Sequence, residues 1–276
     1  MIYLRSILLW VAGLIVTPPV AILILLASPL GVHRRYRVVT LWADIMMWVV
    51  RTVCRIDYEV IGKENLPQRP SVVLSKHQST WETIAFQHIF PPLGFVLKKE
   101  LLRIPFFGWG LAQMPVISID RAAGRNALEQ VVEQGRMRLE QGFWMVIFPE
   151  GTRIAPGETR RYKPGGAYLA TQTGAPVVPV AHNAGEFWRR RAFRKYPGTI
   201  TVSIGPAIDP AGMTTDEVNA KVEAWIEGEM HRLFPHHYAP AAEPARAAAR
   251  AKLLKAKLKA RAKSRAKSGV RTKPKA

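Results

Sequence analysis

Cysteine and acid are scarce in this sequence. Cys54 is the one cysteine among 276 residues, so no disulfide can close within the chain, which fits a reducing compartment. Asp and Glu number 20 against 40 Lys and Arg, and the formal charge of +20 calls for an anionic partner or surface. Seven histidines are present, yet none stands in a metal-binding spacing. There is no His-Glu-x-x-His and no paired cysteine, so neither a metal nor a cofactor is expected. No helix-turn-helix, zinc-finger or RNA-binding aromatic pattern accompanies the basic residues. No specific nucleic acid is therefore expected, and a membrane-tethered nucleic-acid binder is a distant alternative. No internal repeat is seen.

What is present is unevenly spread. Residues 240–276 carry thirteen Lys and Arg against the single acid Glu243, and large apolar residues there are limited to Leu253, Leu254 and Leu258. Such a segment cannot form a core, but it suits an anionic membrane surface. Residues 7–30 are almost wholly apolar, the length of a bilayer span. Pro18-Pro19 divides the run in half, which leaves open a kinked span, a re-entrant hairpin or an interfacial helix pair. A cleaved signal peptide is the competing reading, but the run lacks a small-x-small cleavage site. His33, Arg34, Arg35 and Arg37 follow the run and put the next domain on the cytoplasmic side, as expected of a protein of the cell inner membrane. Residues 38–53 read as an amphipathic helix, lying on a membrane or packed on the domain.

Further on, apolar strand patterns alternate with helical ones. Strands are expected at 71–74, 94–97, 116–119, 143–148, 177–181 and 199–204. Helices are expected at 125–141 and 165–174, and from the Thr214/Glu217 capping box to about Leu233. This alternation predicts an α/β fold, with a mostly parallel or mixed central sheet flanked by helices and an N-terminal membrane-anchoring helical segment. The expected organisation is an anchor at 1–55, an α/β domain at 56–238 and a basic low-complexity tail at 239–276. Apolar residues are 48% of the chain, enough to fill one such core.

Three segments carry candidate chemistry. The first is Ser75-Lys76-His77-Gln78-Ser79-Thr80-Trp81-Glu82, directly after a strand. A histidine at a strand exit with a nearby carboxylate suggests a general base and its orienting acid. On one continuous helix the two side chains would diverge. With His77 in the loop and the helix starting at Ser79, the Glu82 carboxylate turns back toward the imidazole. Ser79-x-x-Glu82 is also a capping box, and the two roles are compatible. The second segment is Phe148-Pro149-Glu150-Gly151-Thr152-Arg153, a strand end and turn that presents an Arg and loop amides suited to phosphate; an ordinary turn with a surface ion pair is the bland alternative. In the third, Lys98-Lys99-Glu100-Leu101, Pro105 to Trp109 and Asp120-Arg121 place cations after two strands, either framing an anion or simply solvated.

These blocks, taken in order, resemble the glycerolipid acyltransferase family, in its bacterial 1-acyl-glycerol-3-phosphate branch. Its Asn-His-x-x-x-x-Asp block is similar to Lys76-His77-Gln78-Ser79-Thr80-Trp81-Glu82, with Lys for Asn and Glu for Asp. Lys98, Glu100, Leu101, Pro105, Gly108 and Arg121 fit its second block. Phe-Pro-Glu-Gly-Thr-Arg stands unchanged at 148–153, and a Val-Pro-Val strand follows at Val178-Pro179-Val180. The resemblance covers about residues 60–210. It implies an O-acyltransferase in phospholipid biosynthesis that moves an acyl chain from acyl-CoA or acyl-carrier protein to a lysophospholipid, with His77 as base and Glu82 as its partner. Lys98, Arg121 and Arg153 would bind the acceptor phosphate, with Gly151 and Thr152 beside them and Glu150 on the glycerol. Glycerol-3-phosphate or another lysolipid is the alternative acceptor, and an inactive scaffold a further one. Trp81, Phe106, Phe107 and Trp109 are candidates for an acyl tunnel or for plain core.

Overall fold

The computed structural model describes residues 1–119 and 125–238. They fall into two compact units divided after Leu233; the described part of the second, Phe234–Tyr238, contains a short 3-10 turn at Pro235–His237. Everything below concerns the first unit.

The chain begins with a helical hairpin, α1 (Ile2–Leu26) and α2 (Val32–Thr52). Pro18 and Pro19 lie inside α1 without ending it, so the apolar run forms one helix and not two. At 1.5 Å per residue its 25 residues span about 37 Å, enough to cross a bilayer core by length and composition. The hairpin is also part of the fold. Leu9, Val20, Ala21 and Ile24 of α1 are buried, and Trp42 Nε1 of α2 donates to Thr17 Oγ1 at 3.1 Å. The other face of α1 exposes Leu4, Leu8, Leu14, Ile15 and Leu26. The second helix starts at Val32, ahead of the expected 38, because Gly31 caps it and the basic cluster is wound into its first turns.

Seven strands form one sheet: β1 (Ile56–Ile61), β2 (Val72–Ser75), β3 (Leu93–Lys98), β4 (Ile117–Ile119), β5 (Trp144–Ile147), β6 (Val177–His182) and β7 (Gly198–Ile204). Their order is β1-β7-β6-β2-β5-β3-β4, and every pair is parallel except β6–β7. The mixed α/β architecture is therefore as expected. Strands β2, β5 and β6 are buried along their whole length, as continuous apolar runs such as Val72-Val73-Leu74 require in a sheet covered on both faces. The helices that follow are α3 (Trp81–Ile89), α4 (Phe107–Ala112), α5 (Arg125–Glu140), α6 (Gly165–Thr173), α7 (Ala184–Phe187) and α8 (Thr215–Leu233). Met46, Val50, Trp81, Phe86, Trp144, Val146, Val178 and Ile200 make the principal core between helices and sheet. A Cβ at Gly166 of α6 would meet Leu74 Cδ2 at 2.3 Å, so a larger residue there would require the leucine side chain to move.

Parallel pairing has one consequence for the site. β2, β3, β4, β5 and β6 all point the same way, so their carboxyl ends share one edge of the sheet. The segments after β2, β3 and β5 emerge together there, the usual place for a ligand in a sheet of this kind.

Candidate active site

His77 lies two residues beyond β2, in the loop before α3. Its Nδ1 is 2.9 Å from Glu82 Oε1. The same oxygen accepts the backbone N–H groups of Gln78 (2.9 Å) and Ser79 (2.7 Å), so the carboxylate at the start of α3 points back into the loop as the spacing predicted. The capping box is half-formed: Ser79 Oγ accepts from Trp81 N–H at 3.1 Å, and the helix begins at Trp81 in place of Ser79. An acceptor at Oε1 keeps the proton on Nδ1, which leaves Nε2 as the basic nitrogen. The imidazole stacks on Phe148 with centroids 3.9 Å apart and opens on a cavity. Burial opposes ionisation of Glu82, but His182, His77 and the Ser79 N–H outweigh it and hold the carboxyl below its ordinary pKa. It is a fixed anion beside the ring.

The cavity measures about 840 Å³. Its apolar wall comes from Val20, Ala21 and Ile24 of α1, Val39 of α2 and Leu111 and Met114 around α4, so the N-terminal hairpin forms part of the pocket. Lys98, Gly151, Thr152 and Arg153 all line it, and Lys163, Arg190 and Arg191 join them. Phe106 and Phe107 line it too, whereas Trp81 is fully buried in the core and Trp109 is exposed outside it. Arg121, expected in the phosphate site, lies outside the described residues.

Glu150, the residue expected on the acceptor's glycerol, lies under the His77 loop. It is fully buried and does not reach the cavity. Pro149 and Gly151, the latter at φ +69°, reverse the chain around it; Oε2 accepts His77 N–H at 3.0 Å and Oε1 lies 3.5 Å from Lys76 Nζ. The geometry of the turn thus serves the histidine loop. Lys76 is itself fully buried, pairs with Glu227 of α8 at 2.5 Å, and shares that carboxylate with the Tyr162 hydroxyl at 2.9 Å.

Burial pushes the Glu150 carboxyl up to about 8, only partly offset by Lys76 and reinforced by Glu227. Lys76 and Glu227 then balance one another while Glu150 stays largely protonated. A pKa raised on folding contributes stability that is complete below the ordinary value of 4.5 and lost as pH rises through about 8. The melting temperature should therefore fall between about pH 4.5 and pH 8, and fall less in Glu150→Gln. Equal slopes for the two proteins would remove Glu150 as the titrating group.

Lys163, Arg190 and Arg191 escaped the sequence reading, and so did His182. His182, at the end of β6, is fully buried; its Nε2 donates to Lys76 O at 2.8 Å and its Nδ1 accepts Ala184 N–H at 3.3 Å. Burial lowers its pKa against the pull of Glu82, and its two hydrogen bonds make it a brace under the His77 loop. Its position at a strand exit, like that of His77, was the available signal.

Residues 57–183 match the family described as Acyltransferase. A 1-acyl-sn-glycerol-3-phosphate acyltransferase of Pseudomonas aeruginosa is 47% identical over 214 residues, covering 76% of this chain and 83% of that protein. One of Saccharomyces cerevisiae is 28% identical over 199 residues, covering 70% and 65%. The crystal structure of the 1-acyl-sn-glycerophosphate acyltransferase of Thermotoga maritima superposes with a TM-score of 0.71 at 23% identity, over 83% of this chain and 95% of that one, a likeness of fold.

Proposed function

The chain belongs to the acyltransferase family, and from that premise we propose that it acylates the sn-2 hydroxyl of 1-acyl-sn-glycerol-3-phosphate to give phosphatidic acid. The observation that carries this reading is a His77–Glu82 pair opening on an apolar cavity whose rim holds cations. His77 Nε2 takes the proton of the acceptor hydroxyl. That oxygen attacks the carbonyl carbon of an acyl thioester, from acyl-CoA or acyl-carrier protein, and a tetrahedral intermediate forms. Collapse breaks the carbon–sulfur bond, and the imidazolium returns its proton to the leaving thiolate. Glu82 holds the tautomer and offsets the imidazolium charge. Direct transfer needs no protein nucleophile and leaves no acyl-enzyme. Lys98 and Arg153 supply charge for the acceptor phosphate, with Gly151 and Thr152 beside them and Arg121 as a further cation. The apolar wall takes acyl chain.

The hairpin suits a substrate that stays in the bilayer, since α1 exposes one apolar face and gives the other to the cavity. We place the protein at the inner membrane with the sheet domain on the cytoplasmic side, by the basic cluster at 33–37. The basic tail then adds contacts to anionic headgroups, up to about 1 kcal/mol for each cation near the surface. Flotation with phosphatidylglycerol-containing vesicles should accordingly lose salt sensitivity when the chain is ended at Tyr238. Identical salt dependence with and without residues 239–276 would eliminate this role for the tail.

The deciding test supplies labelled acyl-CoA or acyl-carrier protein with 1-acyl-sn-glycerol-3-phosphate and looks for labelled phosphatidic acid. Formation of that product supports the reading and identifies the donor. No product from either donor with folded, lipid-supplied protein refutes it.

A further inference from the structure

The loop between α7 and β7 carries five cations in seven residues: Arg189, Arg190, Arg191, Arg194 and Lys195. Three of them are satisfied within the fold. Arg189 and Arg194 lie over the Tyr196 ring, each 5.8 Å from its centroid, and Lys195 Nζ donates to Phe193 O at 2.8 Å while facing the Trp10 and Trp188 rings. Arg190 and Arg191 behave differently, since both line the cavity. Arg190 Nη1 donates to Arg153 O at 2.6 Å, which anchors the side chain through one N–H and leaves the rest of its donors free. Among the described residues Arg191 is one of three non-glycine residues with positive φ, at 57°, an uncommon conformation for a bulky side chain.

Electrostatics makes the arrangement unusual. Arg153, Lys163, Arg190 and Arg191 share one rim, and among the described residues none of them pairs with a carboxylate at ion-pair distance. Burial disfavours the charge on Arg153; the Glu82 carboxylate offsets part of this and Arg190 adds to it, so the pKa stays below its ordinary value. Arg153 Nε is buried with no hydrogen-bond partner. Buried donors in folded proteins are nearly always satisfied, so an orphan beside clustered cations points to an anion that completes the site. Guanidinium groups favour phosphate because their fork matches two oxygens at once.

We propose that Arg190 and Arg191 form, with Arg153 and Lys163, a phosphate-binding clamp on the cavity rim that takes a phosphate group of one of the two substrates. The inference rests on the acyl-transfer reading for the identity of those substrates. The acceptor's phosphomonoester and the phosphates of a CoA donor are the two sources of the same chemistry, and kinetics separates them. Both arginines are exposed, so glutamine at each should leave folding intact.

The test uses the full-length protein in mixed micelles, as wild type, Arg190→Gln, Arg191→Gln and the double variant. KM is measured separately for 1-acyl-sn-glycerol-3-phosphate and for acyl-CoA, and the melting temperature with and without inorganic phosphate. The double variant should raise one KM by about 10–100-fold, as expected for lost charge-assisted hydrogen bonds, with little change in kcat, and should lose the phosphate-induced melting shift. A rise confined to the acceptor assigns the clamp to the phosphomonoester; a rise confined to acyl-CoA assigns it to the donor. Unchanged KM values together with an unchanged phosphate shift overturn the proposal while leaving the reaction intact. A wild type that transfers no acyl group defeats the reading of the reaction, and the melting shift alone then decides the clamp.

Discussion

Replacing His77 with alanine should lower kcat by about 10²–10⁴-fold or more because general-base catalysis is lost, while the loss of stacking on Phe148 and of the bond to Glu82 leaves the protein folded. The ring has a fixed task. Glu82 occupies Nδ1, so Nε2 is the one nitrogen able to accept a proton on the cavity side. Nothing nearby replaces it: His182 is buried with both ring nitrogens engaged, and Lys76 is fully buried in an ion pair. Glu82→Gln should also cut kcat strongly, with KM little changed, since a neutral amide cannot offset an imidazolium and does not enforce the tautomer. Measuring kcat and KM for both variants beside thermal melting checks the assignment. A folded His77→Ala protein that keeps more than about a tenth of its turnover would exclude His77 as the base.

Breaking the buried pair between Lys76 and Glu227 should cost about 3–5 kcal/mol of stability, more than any surface change in this chain. Glu227→Gln leaves a fully buried ammonium facing the largely protonated Glu150, and Lys76→Met strands Glu227 with Tyr162 alone. Joint replacement by Met at 76 and Leu at 227 should recover most of that loss, because an apolar pair incurs no charge-desolvation penalty. Thermal or denaturant unfolding of the two single variants and the double variant completes the cycle. Additive losses would mean that the two side chains are not coupled. The pair also anchors α8 to the loop that holds His77, so activity should follow stability across the three proteins.

Much of the fold was legible because its signals are local. Apolar runs such as Val72-Val73-Leu74 and Val177-Val178 announced buried strands, and the Thr214/Glu217 box announced α8, where Thr214 N–H and Oγ1 both meet Glu217 Oε2. The strand at Ile56–Ile61 was passed over. It is an edge strand whose apolar and polar residues alternate, and its half-buried pattern gives a weaker signal than the continuous runs. The Pro18-Pro19 pair left three forms open, and α1, packed on α2, takes the form of one helix running through both prolines.

The sequence by itself determined the strand and helix segments, the ordering of the motif blocks and the His77-to-Glu82 spacing, because each depends on residues a few positions apart. The tertiary structure decided what comes together from far along the chain. Only the sheet's strand order sets Glu150 beneath His77, pairs Lys76 with Glu227 across 151 positions, and brings the α1 wall and Arg190 to the same cavity. Spacing along a chain says nothing of proximity once the intervening strands can be ordered in several ways. The parallel alignment of β2, β3, β5 and β6, set by packing of helices on both faces, is what gathers these side chains at one edge.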